Sequence, residues 1–330
     1  MKRLQELSGL HDRAKPITLA VGFFDGVHRG HRSIIDYTIA AAQRRGGEAW
    51  ILTFDRHPLK VLRPTIAPLI LTSTSHKLAL IDACGVDGCV TLSFTQELAS
   101  MPAPDFAAWM LHCAPTLSEI IVGENWRFGA HAKGTPDLLR HLGSEANLTV
   151  TTLPPILDNN ETVSSTRIRA AIMHGELDHA AAMLGRPASV LGTVVHGHAI
   201  GRTLGFPSAN LDPHNESLPP LGVYAVQALV SGTFYDGVLN FGTRPTFAKD
   251  KAVPPVLELH LLDFEGSLYA DDIEAHFIKH LRDEWYFATT EELVTQIAKD
   301  VRDTRNILKT RGLSEETQAR LCRTSTKCSG

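Results

Sequence analysis

Ile17-Thr18-Leu19-Ala20-Val21 runs straight into Gly22-Phe23-Phe24-Asp25-Gly26-Val27-His28-Arg29-Gly30-His31, and this junction decides the fold of the first half. An apolar run of this length, closed by glycine and aspartate, reads as a buried strand over 17–22. The stretch 32–45 then reads as a helix stopped by Gly46-Gly47. The pattern repeats outward. Strands are expected at 48–54, 88–92, 119–122 and 148–153, with helices at 75–84, 104–113 and 135–141 between them. Such alternation predicts an α/β, Rossmann-like domain, a parallel sheet with flanking helices. Ligands of these sheets sit beyond the carboxyl ends of the strands, which is where the glycine- and histidine-bearing run falls.

Two short helices are expected at 166–174 and 178–184. After Gly185-Arg186-Pro187 the pattern changes. The stretches 190–196, 223–230, 235–241 and 256–262 are β-rich, and no helix is evident until 290–308. This predicts a compact antiparallel β-barrel closed by one C-terminal helix. The division is therefore expected at 1–184 and 185–310, with 311–330 a polar, frayed or disordered tail.

The bulk properties agree. At 330 residues the chain suits two domains of about 100–200 residues each. Hydrophobic residues make up 43% and charged residues 21%, the balance of a soluble globular protein. A net charge of −4 gives no electrostatic reason to expect nucleic acid or an anionic membrane as partner. Five cysteines (Cys84, Cys89, Cys113, Cys322 and Cys328) are odd in number and match no zinc spacing. They read as reduced thiols of a cytoplasmic protein. The polar first 15 residues lack the apolar core of a signal peptide. No apolar run approaches the roughly 20 residues of a membrane span. Nothing in the sequence sets the oligomeric state, and a homo-oligomer is compatible with it.

Within the first junction, Gly22 and Gly26 allow a tight turn and close approach to a ligand. His28 and His31, three apart, share a face of a first helical turn, where free backbone N–H groups favour an anion. Two imidazoles there suit phosphate oxygens, and bound phosphate would favour imidazolium. On an ordinary helix the same pair would be two surface histidines; the preceding strand and the glycines favour the phosphate reading. Zinc would need a third ligand, and none is indicated. Further on, Val163-Ser164-Ser165-Thr166-Arg167-Ile168-Arg169 offers a hydroxyl helix cap at Ser165 or Thr166 and an arginine suited to clamp phosphate, or simply a capped helix with a solvated arginine.

His28-Arg29-Gly30-His31 together with Ser164–Arg169 resembles the H-x-G-H adenylyltransferases. The fuller run 24–31, with 54–58, 123–129 and Ser164 to Arg169, resembles the N-terminal module of bacterial bifunctional riboflavin kinase/FAD synthetases. The resemblance implies that His28 and His31 hold the ATP phosphates during attack and that Arg167 holds the departing pyrophosphate. It further implies that Ser164, Ser165 and Thr166 help position it, that Gly22, Phe24, Asp25 and Gly26 line the nucleotide, and that Asn125 lies on the nucleotide or flavin side. FMN would attack the α-phosphorus of ATP with no covalent enzyme intermediate. Phe23, Arg56 and Trp126 depart from the common pattern of these proteins.

The second half opens with Gly201-Arg202-Thr203-Leu204-Gly205-Phe206-Pro207-Ser208-Ala209-Asn210. Glycines at 197, 201 and 205 suit a loop that wraps phosphates, or a glycine-rich hairpin. Ser208 and Asn210, two apart, face the same way on an extended segment, and their oxygens suit Mg²⁺. This run resembles the riboflavin kinase signature G-R-x-x-G-F-P-T-A-N, with Ser208 in place of threonine. Similar matches follow at 222–225, 240–247 and 258–264. The resemblance assigns Gly201, Arg202, Gly205, Pro207, Ser208 and Asn210 to nucleotide and Mg²⁺ binding, and Glu258 to the role of general base on the ribityl hydroxyl. It implies ATP as co-substrate, and riboflavin, FMN and FAD as substrates and products.

Two other readings differ in kind. One is another H-x-G-H nucleotidyltransferase fused to an unrelated barrel, against which the run 201–210 speaks. The other is a non-catalytic flavin-binding protein, against which the intact His28, His31, Arg167, Ser208, Asn210 and Glu258 speak. Arg302 and Arg305 read as a solvated helix face more readily than as flavin contacts, and Trp285 and Phe287 as core.

Overall fold

The structure, a computed structural model, describes residues 1–196, 201, 204–243 and 255–325. The chain forms two compact units. One holds Met1–Ile70 and Thr74–Ser165, the other Leu71–Ser73 and Thr166–Gly330.

In the first unit, strands β1 (Lys2–Leu4), β2 (Ile17–Val21), β3 (Glu48–Phe54), β4 (Gly88–Leu92), β5 (Leu117–Gly123) and β6 (Thr149–Leu153) form one sheet in the order β1-β4-β3-β2-β5-β6. Every neighbouring pair is parallel. The α/β expectation holds. β2 to β5 are buried almost throughout, because helices cover both faces and leave no side for polar residues. Chain order reverses at β2, with β3 on one side and β5 on the other. That is the topological switch point, at whose carboxyl ends ligands bind.

Helix α1 (Arg29–Arg44) packs Ile35, Thr38, Ala41 and Ala42 inward. It begins three residues earlier than expected, because His28 itself caps it: the His31 N–H donates to His28 Nδ1 at 3.3 Å. Helices α2 (Pro58–Leu62), α3 (Thr74–Asp82), α4 (Gln96–Ser100), α5 (Ala103–Cys113) and α6 (Pro136–Gly143) complete the cover. The short α2, α4 and β1 carry too little periodicity to be read from sequence. A hairpin of β7 (Leu157–Asp158) and β8 (Glu161–Thr162) returns the chain to Ser164.

Helices α7 (Ser165–Met173) and α8 (Leu177–Leu184) follow, and the compact division falls after Ser165, within the first turn of α7. Strands β9 (Ser189–Val195), β10 (Ala209–Pro213), β11 (Gly222–Val230), β12 (Thr233–Gly242), β13 (Val256–Leu261) and β14 (Asp272–Arg282) close into a barrel in the order β10-β13-β12-β11-β14-β9. The antiparallel β-barrel expectation holds, and the barrel has six strands. Leu211, Leu239, Leu257, Leu259, Ile273 and Phe277 fill it. Helix α9 (Thr290–Arg311) lies outside, its Leu308 against Ala225 and Ile278.

Two expectations for this half are corrected. The polar tail is helical over α10 (Glu315–Ser325), so two C-terminal helices follow the barrel. Leu321 is buried, and Cys322 Sγ donates to the Gly232 carbonyl. Trp285 and Phe287 are not core residues. Trp285 is half exposed, and both rings stack on the Arg282 guanidinium at 5.0 and 5.6 Å. Arg305 pairs through both nitrogens with Asp263, at 2.7 and 2.8 Å.

Candidate functional sites

The first site is the loop between β2 and α1. Its backbone is pinned from three directions. Gly22 N–H donates to the Leu52 carbonyl (3.0 Å), Thr53 Oγ1 to the Phe23 carbonyl (2.9 Å), and Ser165 Oγ to the Asp25 carbonyl (3.0 Å). Gly26 takes a φ of 79°, and Phe24 and Val27 are also left-handed, at 56° and 39°. A β-branched residue rarely accepts that conformation. Such strain persists only where surrounding bonds over-determine it, and it collects at functional sites. The Phe24 ring lies inward, edge-on to His31 at 5.2 Å, and packs beside Gly22. Asp25 and His28 are buried.

The His28 and His31 rings stack 3.6 Å apart at 17°. His31 Nδ1 is shut off from solvent and has no hydrogen-bond partner among the described residues. Burial, with His28 and Lys77 beside it, pushes its pKa well below the ordinary imidazole value of 6.5. These surroundings disfavour the imidazolium form, against the expectation from sequence. The β7–β8 hairpin is tied to this helix start by an Arg29–Asp158 ion pair (3.5 Å), and Val163 passes close to Gly30. That brings Ser164 and Ser165 beside the histidine loop. Thr166, exposed, and Arg167 follow on the first turn of α7 and count with the second unit, where Arg167 Nη2 lies 3.4 Å from His179 Nε2. Asn125 is exposed in the turn after β5, whose neighbour is β2.

Sequence reasoning missed Asp55 and Lys77. Burial raises the Asp55 pKa, but the Phe94 N–H, Arg56 and Ser93 outweigh it and hold the carboxyl below its usual range. Asp55 thereby locks the β3 and β4 exits together. Lys77 is buried on α3 and donates to the Phe54 carbonyl at 2.7 Å. A helical T-S-H-K-L-A-L run carries no signal that its lysine points inward.

The second site lies on the outer face of the barrel. Glu258 stands directly opposite Asn210 on one neighbouring strand and Asn240 on the other. Their neighbours Leu211, Leu239, Leu257 and Leu259 face the barrel core, so by the strand period these three polar residues share the opposite face. Ser208 immediately precedes β10. A Cβ on Gly201 would stand 2.8 Å from Ser208 Oγ, so only glycine leaves that hydroxyl uncrowded. Pro207 is held from β13: His260 Nδ1 donates to its carbonyl at 2.7 Å. Gly205, at φ 84°, turns the chain before it. His260, Asn240 and Glu284, which accepts from Thr243 Oγ1 at 3.2 Å, had no separate sequence signal. Arg202, with residues 197–200 and 244–247, lies outside the described residues, as does Cys328. Among the described residues, Cys84, Cys89, Cys113 and Cys322 form no disulfide. Among the described residues no helix is long and apolar enough to cross a membrane, and no group of three or more His, Cys, Asp or Glu forms a metal cluster.

Together these features define a two-part protein: a glycine- and histidine-bearing loop at the switch point of a parallel sheet, followed by a closed barrel with a carboxylate opposite two asparagines. The comparisons with known proteins make the class specific. The FAD synthetase family model matches residues 10–167 and the riboflavin kinase model residues 184–308. The bifunctional riboflavin kinase/FMN adenylyltransferase of Escherichia coli K12 is 35% identical over 89% of this chain and 95% of its own length. That of Bacillus subtilis is 32% identical over 88% and 92%. A crystal structure described as a macrolide-efflux protein from Streptococcus pneumoniae aligns at TM-score 0.77 and 27% identity, over 92% of this chain and 98% of that one. The chain belongs to the bifunctional riboflavin kinase/FMN adenylyltransferase family.

Proposed function

We propose that this protein makes FAD from riboflavin in two ATP-dependent steps, phosphorylating riboflavin to FMN and then adenylylating FMN. One observation carries the reading. Each of the two chemically distinct sites falls in the stretch matched by the corresponding family, the histidine pair within 10–167 and the Asn210–Glu258 pair within 184–308. We assign adenylyl transfer to 1–184 and the kinase to 185–310.

In the adenylyl step an FMN phosphate oxygen attacks the α-phosphorus of ATP, the bond to the β-phosphate oxygen breaks, and pyrophosphate leaves. His28 and His31 hydrogen-bond the phosphate oxygens as charge shifts toward the leaving group. Removing a donor of this kind costs about 10²–10³ in rate. Gly22, Phe24, Asp25 and Gly26 form the wall against the nucleotide. Ser164, Ser165, Thr166 and Arg167 hold the pyrophosphate, and Asn125 contacts the nucleotide or flavin.

In the kinase step Glu258 takes the proton of the ribityl 5′-hydroxyl as that oxygen attacks the γ-phosphorus and ADP leaves. A positioned base contributes about 10²–10⁴-fold. Gly201, Arg202, Gly205 and Pro207 wrap the ATP phosphates. Ser208 and Asn210, with Glu258 alongside, present the hydroxyl, amide and carboxylate oxygens that suit Mg²⁺, and the Gly201 cradle leaves room at the hydroxyl. Bound Mg²⁺ would neutralise charge on the ATP phosphates. We place both reactions in the cytoplasm. The test is incubation of the full chain with riboflavin and Mg·ATP, followed by chromatography of the flavins. FMN and FAD are expected; the absence of both would refute the reading.

A further inference from the structure

Lys77 is 2% exposed, and burying an ammonium is costly unless it is held by specific partners. Its Nζ donates to the Phe54 carbonyl at the carboxyl end of β3 and lies 4.2 Å from the centroid of the Phe23 ring. Phe23 in turn packs edge-on against His57, the cap of α2, at 4.9 Å. One side chain on α3 thus clamps the exit of β2 to the exit of β3, the two strands next to each other at the switch point. Thr53, by contrast, ties Phe23 with a neutral hydroxyl.

We propose that Lys77 is a positioning residue of the adenylyl-transfer site: it fixes the Phe23–Asp25 loop and sets a positive charge beside His31. This rests on the adenylyltransferase reading given above. The charged and titratable groups that face it are Asp25 in the loop after β2, Asp55 at the end of β3, Cys89 on β4 and His31 on α1. Burial lowers the Lys77 pKa to about 8, while Asp25, Cys89 and Asp55 hold it up, so the ammonium is charged at neutral pH. Beside it, burial together with His28 and Lys77 disfavours the His31 imidazolium. An incoming phosphate therefore meets an imidazole with a free, buried nitrogen, together with an anion-attracting charge that no solvent screens.

The test uses the full chain and Lys77→Met, with two readouts. The first is adenylyl transfer from supplied FMN and Mg·ATP. The second is titration of the histidine ring signals by NMR with no nucleotide present. The substitution is expected to lower kcat about 10- to 100-fold, the scale seen when groups that orient a reactive ligand are removed, with KM for ATP little moved. It is also expected to raise the His31 midpoint, because a neighbouring cation is gone. Phe23→Leu, which opens the clamp but keeps the charge, should lower kcat while leaving the His31 midpoint in place; it serves as the test if Lys77→Met does not fold. An unchanged kcat, or an unchanged His31 midpoint in Lys77→Met, overturns the proposal, as does a Phe23→Leu protein with the parent kcat. If the parent itself forms no FAD from FMN, the functional reading falls, and the titration still decides whether Lys77 acts on His31.

Discussion

His28 and His31 stack ring on ring at 3.6 Å. Two imidazolium ions at that spacing would repel strongly, so the geometry disfavours a double charge on the pair. Replacing either ring by alanine should lower FAD formation from FMN by about 10²–10³, and riboflavin phosphorylation should continue. Steady-state assays of each half-reaction check this. His28→Ala should also weaken the start of α1, whose His31 N–H it caps.

The depressed pKa of His31 has a consequence for stability. Its folded value lies below the ordinary 6.5. Between the two values the unfolded chain binds more protons, so stability rises with pH there. It is fully present above about 6.5 and is lost as pH falls toward the folded value. The parent should therefore lose more thermal stability between neutral and mildly acidic pH than His31→Gln does. Equal losses in paired melting curves would refute this.

In the barrel, His260 holds the Pro207 carbonyl at 2.7 Å and thereby the segment leading to Ser208 and Asn210. His260→Ala removes one hydrogen bond of about 0.5–1.5 kcal/mol. The expected result is a fall in kinase kcat/KM of up to about tenfold, chiefly through KM for Mg·ATP, with adenylyl transfer unaffected. Separate kinetics of the two steps read this directly.

Asp300 of α9 is buried and accepts from Arg282 Nε at 3.0 Å, Arg282 Nη2 at 2.8 Å and Gln296 at 2.8 Å. Asp300→Ala leaves a mostly buried guanidinium unpaired, which costs about 3–5 kcal/mol. Denaturant unfolding should show the loss; a change below about 1 kcal/mol would contradict it.

Where apolar runs stand between turn signals, the fold was legible. Glu48–Phe54 and Gly88–Leu92 have the bounds their residues predict. β14 was not legible, because Asp272 to Arg282 mixes charged and apolar residues like a helix face. Its Glu274 is buried and accepts from Ser189 Oγ of β9 at 2.7 Å, a pairing made by tertiary structure. The start of α1 was hidden for a related reason: histidine is not among the usual capping residues. The two histidines and the serine–asparagine pair stood out in the sequence because their spacing suggests chemistry. Lys77 and His260 were not, since each acts on a backbone carbonyl distant in sequence. Trp285 read as core from its size, yet stacks on Arg282 outside the barrel.

The central claim is that two independent sites act in series, and one assay addresses it most directly. His28→Ala with His31→Ala, and separately Glu258→Gln, are each given riboflavin or FMN with Mg·ATP, and the flavins are resolved by chromatography. The histidine double variant should accumulate FMN and form no FAD. Glu258→Gln should leave riboflavin untouched yet convert supplied FMN to FAD. If either folded variant loses both steps together, the two-site account is wrong.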